Sequence, residues 1–291
     1  MLRYLPEAAL AVLAIARAGP AGAGGVDFGY SYAAETADVG ETEVALWVTD
    51  RRGKGAGHYD AQDYRLEVER GITDRFQASI YADFASHHIS GLEPRFADVR
   101  RNFAFRGLEA EFKYVVAKPT GGRIGFALYA EPGWSRIHKV EGEEATEVEL
   151  ELKAIVQKNF LNDRLVWVGN LTLEPEWERE AEELAPPLTR KHWEKELKVE
   201  LTTGLAYRVT PHWSLGLEGR YHSVYPDWTH GLHREAFAVS AGPTVHYAAG
   251  EWGITATWLP QLFGGPSGIG SNLEFGEHEK NEFRVKLSRE F

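Results

Sequence analysis

Residues 74–87, DRFQASIYADFASH, decide the fold of this chain. Apolar Ala78 and Ile80 alternate with polar Gln77 and Ser79, a period of two that is typical of a β-strand with one wet and one apolar face. The same alternation returns in residues 163–179 and 192–209. Strands of this kind, repeated along the chain, predict an all-β protein.

Twelve alternating runs are predicted as strands, near residues 41–50, 58–70, 74–87, 98–117, 122–138, 143–160, 163–179, 192–209, 212–225, 233–248, 251–263 and 276–291. Their connections alternate in length. Short turns fall at 71–74, 119–122, 161–163, 210–211 and 249–250, and the other links are longer, apart from a compact one at 141–142. This alternation favours a transmembrane antiparallel up-and-down β-barrel of about 12 strands. The first strand then begins, and the last strand ends, on the periplasmic side. A soluble β-sandwich would not require connections that alternate in length so regularly.

Composition narrows the possible functions. The 291 residues include no Cys, which excludes disulfides, thiolate catalysis and Cys-ligated metals. A net charge of −11 excludes nucleic acid as a partner, because phosphate binding needs a basic surface. No stretch beyond the N-terminus is apolar for the roughly 18 residues of a membrane helix.

The N-terminus predicts an export signal over residues 1–23. Arg3 supplies a positive charge, Ala8 to Ala16 form a short apolar core, and Ala21-Gly22-Ala23 is typical of a cleavage site. A short amphipathic helix is the alternative. Residues 24–39 are predicted either to lie in the periplasm or to plug the lumen, and residues 40–291 to form the barrel.

Aromatic residues test the membrane hypothesis, because they belong at both interfaces of a spanning barrel. On the outward phase, two belts are predicted. One lies near the short turns, at Phe76, Tyr114, Tyr207, Trp213, Tyr247 and Trp252, and the other near the longer links, at Trp134, Trp177, Trp193, Tyr221, Tyr225 and Trp258. In a soluble β-protein the aromatics would lie in the core instead.

The C-terminal strand carries the clearest motif. Phe283, Val285, Leu287 and Phe291 alternate with charged and polar residues. This pattern resembles the terminal strand of Gram-negative outer-membrane β-barrels, and the resemblance implies an outer-membrane location and an assembly signal that the barrel-assembly machinery reads. Residues 30–36 and 71–76 are similar to an uncharacterised family of such barrels. The second motif is also similar to barrels encoded with aromatic-degradation pathways. These motifs imply architecture, and no catalytic or ligand residue.

On the inward phase, acidic residues outnumber basic ones. The predicted lumen-lining residues are Arg65, Glu67, Glu69, Glu109, Glu111, Lys113, Glu131, Glu149, Glu151, Lys153, Glu174, Glu176, Lys198, Glu200, Glu218, Arg220, Arg284 and Lys286. Carboxylate rings predict a porin-like channel for passive passage of small cationic or neutral solutes. The alternative is a structural or interaction barrel whose lumen is closed by salt bridges. Twelve strands lie between filled barrels and open pores, so size leaves both open.

Other chemistry receives weaker support. Several histidines are predicted near the external mouth, at His58, His87, His88, His138, His192, His230, His233 and His278, where they could capture a divalent metal. None has a ligand spacing, so no metal site is assigned. A surface hydrolase would need a catalytic pair, and the candidates are Ser223 with His222 and Asp227 with His230. The sequence therefore predicts no enzyme and no cofactor, and the expected partners are outer-membrane lipid, the assembly machinery and small solutes.

Overall fold

The computed structural model describes residues 27–92, 94, 96–183, 189–267 and 270–291, with their side chains except at 180–183 and 189–192. The predicted signal peptide, residues 1–23, lies outside the described residues. Within them the chain forms twelve strands: β1 (Thr42–Arg52), β2 (His58–Thr73), β3 (Phe76–Ser90), β4 (Val99–Ala117), β5 (Ile124–Ile137), β6 (Glu144–Phe160), β7 (Leu165–Glu183), β8 (Thr189–Arg208), β9 (Trp213–Pro226), β10 (Ala236–Ala249), β11 (Trp252–Gly265) and β12 (Asn281–Glu290). A 3₁₀ turn, Trp228–His230, follows β9.

The twelve strands close into one antiparallel barrel. Each strand pairs with the next along the chain, and β12 pairs with β1 to complete the ring. At this closing seam Leu46 lies opposite Leu287, and Val48 opposite Val285. The predicted up-and-down barrel of about 12 strands is confirmed.

Turn chemistry explains the short connections at the end of the barrel that holds both termini of the described chain. Leu161, Asn162 and Asp163 all have positive φ between β6 and β7, at 53°, 55° and 63°. Asn and Asp tolerate this left-handed conformation better than most residues, so the sequence permits a tight reversal. We call the opposite end, with the longer links, the external end.

The start of β12 differs from the prediction. The alternation suggested a strand from 276, but the strand begins at Asn281. Residues 274–280 instead turn over the external end, where the Glu274 carboxylate accepts backbone N–H groups from Gly276, Glu277 (3.0 Å) and His278 (3.1 Å). These local hydrogen bonds satisfy the amides that a strand would have paired with its neighbours.

The outer surface of the barrel is apolar. Leu171, Leu201 and Leu217 are 43%, 50% and 64% exposed on the outward phase. Exposed aromatics lie toward both ends, including Tyr114, Tyr207, Trp213 and Trp252 at one and Trp134, Trp193 and Trp258 at the other. An apolar outer band between two aromatic belts around a polar interior is the architecture of outer-membrane barrels. No helix among the described residues is long and apolar enough to cross a membrane.

Candidate functional site

The lumen is divided by residues 27–37, which we call the N-terminal segment. Its strongest anchor is the buried Glu218 of β9. One Glu218 oxygen accepts the backbone N–H of Gly29 at 2.8 Å, and the other accepts those of Tyr30 (2.8 Å) and Ser31 (2.9 Å). A carboxylate that accepts three amides gives strong, charge-assisted hydrogen bonds, because the acceptor is ionised. This part of the N-terminal segment is therefore fixed to the barrel wall.

Further polar side chains hold the rest of the N-terminal segment. Asn170 accepts the N–H of Tyr32 at 2.6 Å and donates to its carbonyl at 2.9 Å. Gln157 accepts the N–H of Ala34 at 2.8 Å, and Gln77 that of Ala37 at 3.0 Å. The sequence left two positions open for this region, and the described part crosses the lumen.

Apolar packing supports the same arrangement. Phe28 is buried against Val166, Val168 and Ala206 on the inner face of β7 and β8. A Cβ at Gly204 would lie 2.6 Å from the Phe28 ring, so the ring occupies space that only glycine leaves at this position. Burial of one Phe side chain contributes about 2 kcal/mol or more, which adds to the hydrogen bonds.

Above the N-terminal segment lies a polar space that we call the upper cavity. Its volume is about 200 Å³, with Tyr30 and Tyr32 on its floor and Lys139, Val140 and residues 277–279 at its external end. A polar space of this size holds on the order of ten water molecules. Below the segment, a second space of about 460 Å³, the lower vestibule, opens around Glu67, Glu69 and Lys286. The two spaces lie on opposite sides of the segment.

The charges of the upper cavity are unevenly distributed. On β5–β8, the described residues that line it include eight carboxylates and only two amines. The acids are Glu131, Glu147, Glu149, Glu151, Glu174, Glu176, Glu196 and Glu200, and the bases are Lys153 and Lys198. We call this side the acidic wall. Five arginines line the cavity from the other strands: Arg51, Arg65, Arg106, Arg220 and Arg284.

Strand register concentrates the acids, because residues directly opposite on neighbouring strands share a face. In the described register of β5–β8, five pairs of glutamates are opposite each other: Glu131 with Glu151, Glu147 with Glu178, Glu149 with Glu176, Glu176 with Glu196, and Glu178 with Glu194. Lys198 compensates part of this charge, with its Nζ 2.5 Å from Glu176, 3.6 Å from Glu196 and 4.0 Å from Glu174. The acidic wall still carries more negative than positive groups.

The arginine side is more evenly paired. The Arg65 guanidinium lies 2.9 Å from Asp83 and 3.4 Å from Glu131, and also contacts Glu109. Arg106 reaches Glu109 at 3.2 Å. Arg220 contacts Glu200 and lies 2.9 Å from Glu282. The excess negative charge of the cavity therefore faces inward mainly from β5–β8.

An ion-pair cluster narrows the external end of the upper cavity. Arg51 donates to Asp63 and to Glu279, both at 2.9 Å, and Lys54 lies 3.6 Å from Glu279. Burial raises the pKa of Glu279, but the positive charges of Lys54 and Arg51 outweigh it and bring that pKa down to about 2. Glu279 is thus a charged anchor for residues 274–280, which we call the external cap.

A histidine pair also links the external cap to the barrel. His222 Nδ1 lies 2.6 Å from His278 Nε2, and His278 Nδ1 lies 2.7 Å from Glu274. Burial raises the pKa of Glu274, but its hydrogen bonds with His278 and the Gly276 amide outweigh this and lower it. The cap therefore depends on both ion pairs and a shared imidazole hydrogen bond.

The predicted lumen residues fall into two groups. Those that line the upper cavity are Arg65, Glu109, Glu131, Glu149, Glu151, Lys153, Glu174, Glu176, Lys198, Glu200, Arg220 and Arg284. Those that line the lower vestibule are Glu67, Glu69, Glu111, Lys113 and Lys286. Glu218 of β9 lies between the two groups, where it accepts hydrogen bonds from the N-terminal segment. The prediction omitted Arg51, Lys54, Arg106, Glu147 and Glu279.

The C-terminal residues of the predicted assembly signal face outward. Phe283 and Phe291 are exposed, and Val285 and Leu287 are half-buried on the same strand. Arg289 forms a 3.1 Å ion pair with Glu251 of the neighbouring turn. Recognition by the assembly machinery stays a prediction.

The mouth histidines do not form one cluster in the described residues. His87 is buried and bonds to the Lys139 carbonyl at 3.0 Å, whereas His88 contacts Asn102. His230 lies 3.6 Å from Asp227 in an exposed loop. Ser223 is fully buried and donates to the Val199 carbonyl, away from the imidazole of His222. The side chain of His192 lies outside the described residues.

Comparison with known proteins agrees with this architecture. A family model described as "Family of unknown function (DUF6662)" matches residues 20–291. The chain belongs to this family. The predicted resemblance to an uncharacterised family of outer-membrane barrels is thereby confirmed. A search of curated proteins gave no match.

Solved structures share the fold at low identity. The COG4313 outer membrane channel from Pseudomonas putida F1 matches with a TM-score of 0.59 and 15% identity, over 91% of this chain and 100% of that chain. The translocator domain of the autotransporter NalP from Neisseria meningitidis matches with a TM-score of 0.50 and 12% identity, over 88% and 89%. At such identities the likeness shows the fold alone. The apolar belt and closed barrel place the protein in an outer membrane.

Proposed function

We propose that this protein is an outer-membrane channel for small solutes and that it prefers cationic or neutral ones. The observation that carries the proposal is the acidic wall, with eight carboxylates and two amines facing a cavity large enough for water. Carboxylates that line a passage lower the barrier for positive solutes and raise it for negative ones.

The N-terminal segment and the external cap determine the resting state in this proposal. Both narrow the lumen through hydrogen bonds to side chains, and neither forms part of a strand of the barrel. Such contacts break without unpairing the β-sheet, so the passage widens when either element moves. The resting protein is then expected to conduct weakly.

Planar bilayers test this function. Purified protein should give discrete conductance steps, with a zero-current potential of cationic sign under a salt gradient. Changing Glu174 and Glu196 together to Gln removes two acids beside Lys198, so the cation preference should fall. Glu251→Gln, at an exposed turn, is the matched control and should leave the selectivity unchanged.

A closed structural or interaction barrel is the second candidate, favoured by the anchoring of the N-terminal segment to Glu218, Asn170 and Gln157. It predicts a silent membrane after confirmed insertion, even when the segment is released. Conductance steps in either the native protein or a released variant would exclude it.

A further inference from the structure

Two rows of like charge lie side by side near the external end of β6 and β7. Glu147 faces Glu178 in one row, and Glu149 faces Glu176 in the next. Like charges directly opposite each other destabilise a sheet. Lys198 forms an ion pair with Glu176, but Glu149 has no ion pair within the described part of the chain. The ion pair of Lys198 therefore leaves the negative charge of Glu149 without a direct counter-charge among the described residues.

Glu147 gives a second, independent indication. Its side chain is buried, with only 3% of the residue exposed. One oxygen, Oε2, accepts the Ser135 hydroxyl at 2.6 Å. The other, Oε1, is buried and has no hydrogen-bond partner among the described residues. An unpartnered oxygen of a buried carboxylate costs free energy, which a bound cation would recover.

The geometry around Glu147 suits a shared ion. Potential ligand atoms of Glu147, Glu178 and His138 all lie within 4.8 Å of one another, and so do those of Glu149, Glu174 and Glu176. Two oxygens on one calcium ion, each 2.3–2.6 Å from it, lie at most about 5 Å apart. Only small movements would bring the carboxylates of Glu147 and Glu178 onto one ion.

His138 indicates which class of cation fits. Its Nδ1 accepts the backbone N–H of Glu141 at 3.0 Å, so the neutral ring carries its proton on Nε2. That nitrogen faces Glu178 at 3.7 Å and has no lone pair to offer a metal. The remaining donors are all carboxylate oxygens, which calcium and magnesium prefer over zinc or copper.

We propose that a divalent cation of the calcium class binds at this site, ligated by the carboxylates of Glu147 and Glu178, with Glu149 adding negative charge from the adjacent row. The two carboxylates, each able to offer both oxygens, and cavity water supply the six to eight oxygens that calcium requires. The ion also neutralises the like-charge pairs. The site does not require a conducting lumen, so it stands apart from the proposed channel function.

Calcium binding to the whole protein in detergent is the test, by equilibrium dialysis with radioactive calcium after removal of divalent ions with a chelator. We expect one saturable site, with a dissociation constant on the order of 10⁻⁴ to 10⁻³ M, as in extracellular calcium modules. Binding should also raise the melting temperature, because the ion binds only the folded barrel. Bilayer conductance, measured separately, reports on the channel function alone.

Variants locate the site. Glu147→Gln and Glu178→Gln should each weaken calcium binding at least tenfold, with folding checked by heat-modifiable gel mobility. Glu67→Gln removes an equally buried acid from the lower vestibule and should leave binding unchanged. His138→Ala should also retain calcium. Absence of saturable binding by the native protein, or equal binding by the Glu147 variant, would overturn the proposal.

Discussion

Replacement of Glu218 by Gln should release the N-terminal segment. The variant keeps the size of the side chain and one oxygen, which still accepts from Gly29 and from the Thr257 hydroxyl. Its amide group replaces the oxygen that accepts the N–H groups of Tyr30 and Ser31. An amide NH₂ only donates, so two hydrogen bonds to a charged acceptor are lost.

The expected size follows from those two bonds. Hydrogen bonds to charged groups contribute about 1.5–3 kcal/mol each, so the loss is about 3 kcal/mol at the lower end. At 1.4 kcal/mol for each factor of ten, the released form becomes about 100-fold more populated. The substitution leaves the pairing of the twelve strands unchanged, so the barrel itself stays folded.

Cysteine labelling measures this population. The chain has no Cys, so Ser31→Cys introduces a unique thiol at a buried position of the segment. The thiol should react with a water-soluble maleimide about 100-fold faster when Glu218 is Gln. Glu67→Gln, which removes a lower-vestibule charge without touching the segment, should leave the rate unchanged. Equal labelling rates with Glu and Gln at 218 would refute this account of the anchor.

Further predictions concern the cap, the wall and the outer surface. Because the pKa of Glu279 is about 2, below its usual 4.5, its contribution of about 3 kcal/mol is present above pH 4.5 and lost as the pH falls toward 2. Pepsin should therefore cut residues 274–280 of the native protein rapidly only near pH 2, whereas it should cut the Glu279→Gln variant already at pH 4. The same pH dependence of cleavage in both proteins would disprove the role of Glu279 as an anchor. A cysteine in place of Leu201 should react with a lipid-soluble maleimide, whereas a cysteine in place of neighbouring Thr202 should not. The reverse result would contradict the assignment of Leu201 to the lipid-facing side of β8. Phe28→Ala should increase proteolysis of the N-terminal segment without lowering barrel stability in heat-modifiable gels, and an unchanged digestion would show that the ring does not hold it.

Alternation of residues predicts most of the lumen because a strand has a fixed period of two. Once Glu174 and Glu176 are on one phase of β7, the pleat sends both side chains inward. The same logic predicts the outward leucines and the aromatic belts. These assignments need only local sequence.

Residues outside that periodicity were missed for a physical reason. Arg106 points into the lumen at an irregularity where the register of β3 and β4 shifts between Asp83 and Phe84. Such a shift changes the phase of the strand, and it depends on pairing rather than on the local pattern. Lys54 lies in a link, and Glu279 in residues that were predicted to be strand.

The alternation of polar and apolar residues also could not predict the contacts of the N-terminal segment. Glu218 was predicted on the inward face of β9, but its partners Gly29, Tyr30 and Ser31 are about 190 residues earlier in the chain. Nothing local indicates such a pairing. The sequence placed the carboxylate on the correct face and left its role open.

The zero-current potential of the Glu218→Gln channel tests the central claim most directly, because release of the N-terminal segment leaves the acidic wall as the main filter. Under a potassium chloride gradient we expect larger conductance steps than in the native protein and a potential of cationic sign. A potential near zero, or of anionic sign, through an open and inserted barrel would contradict the account.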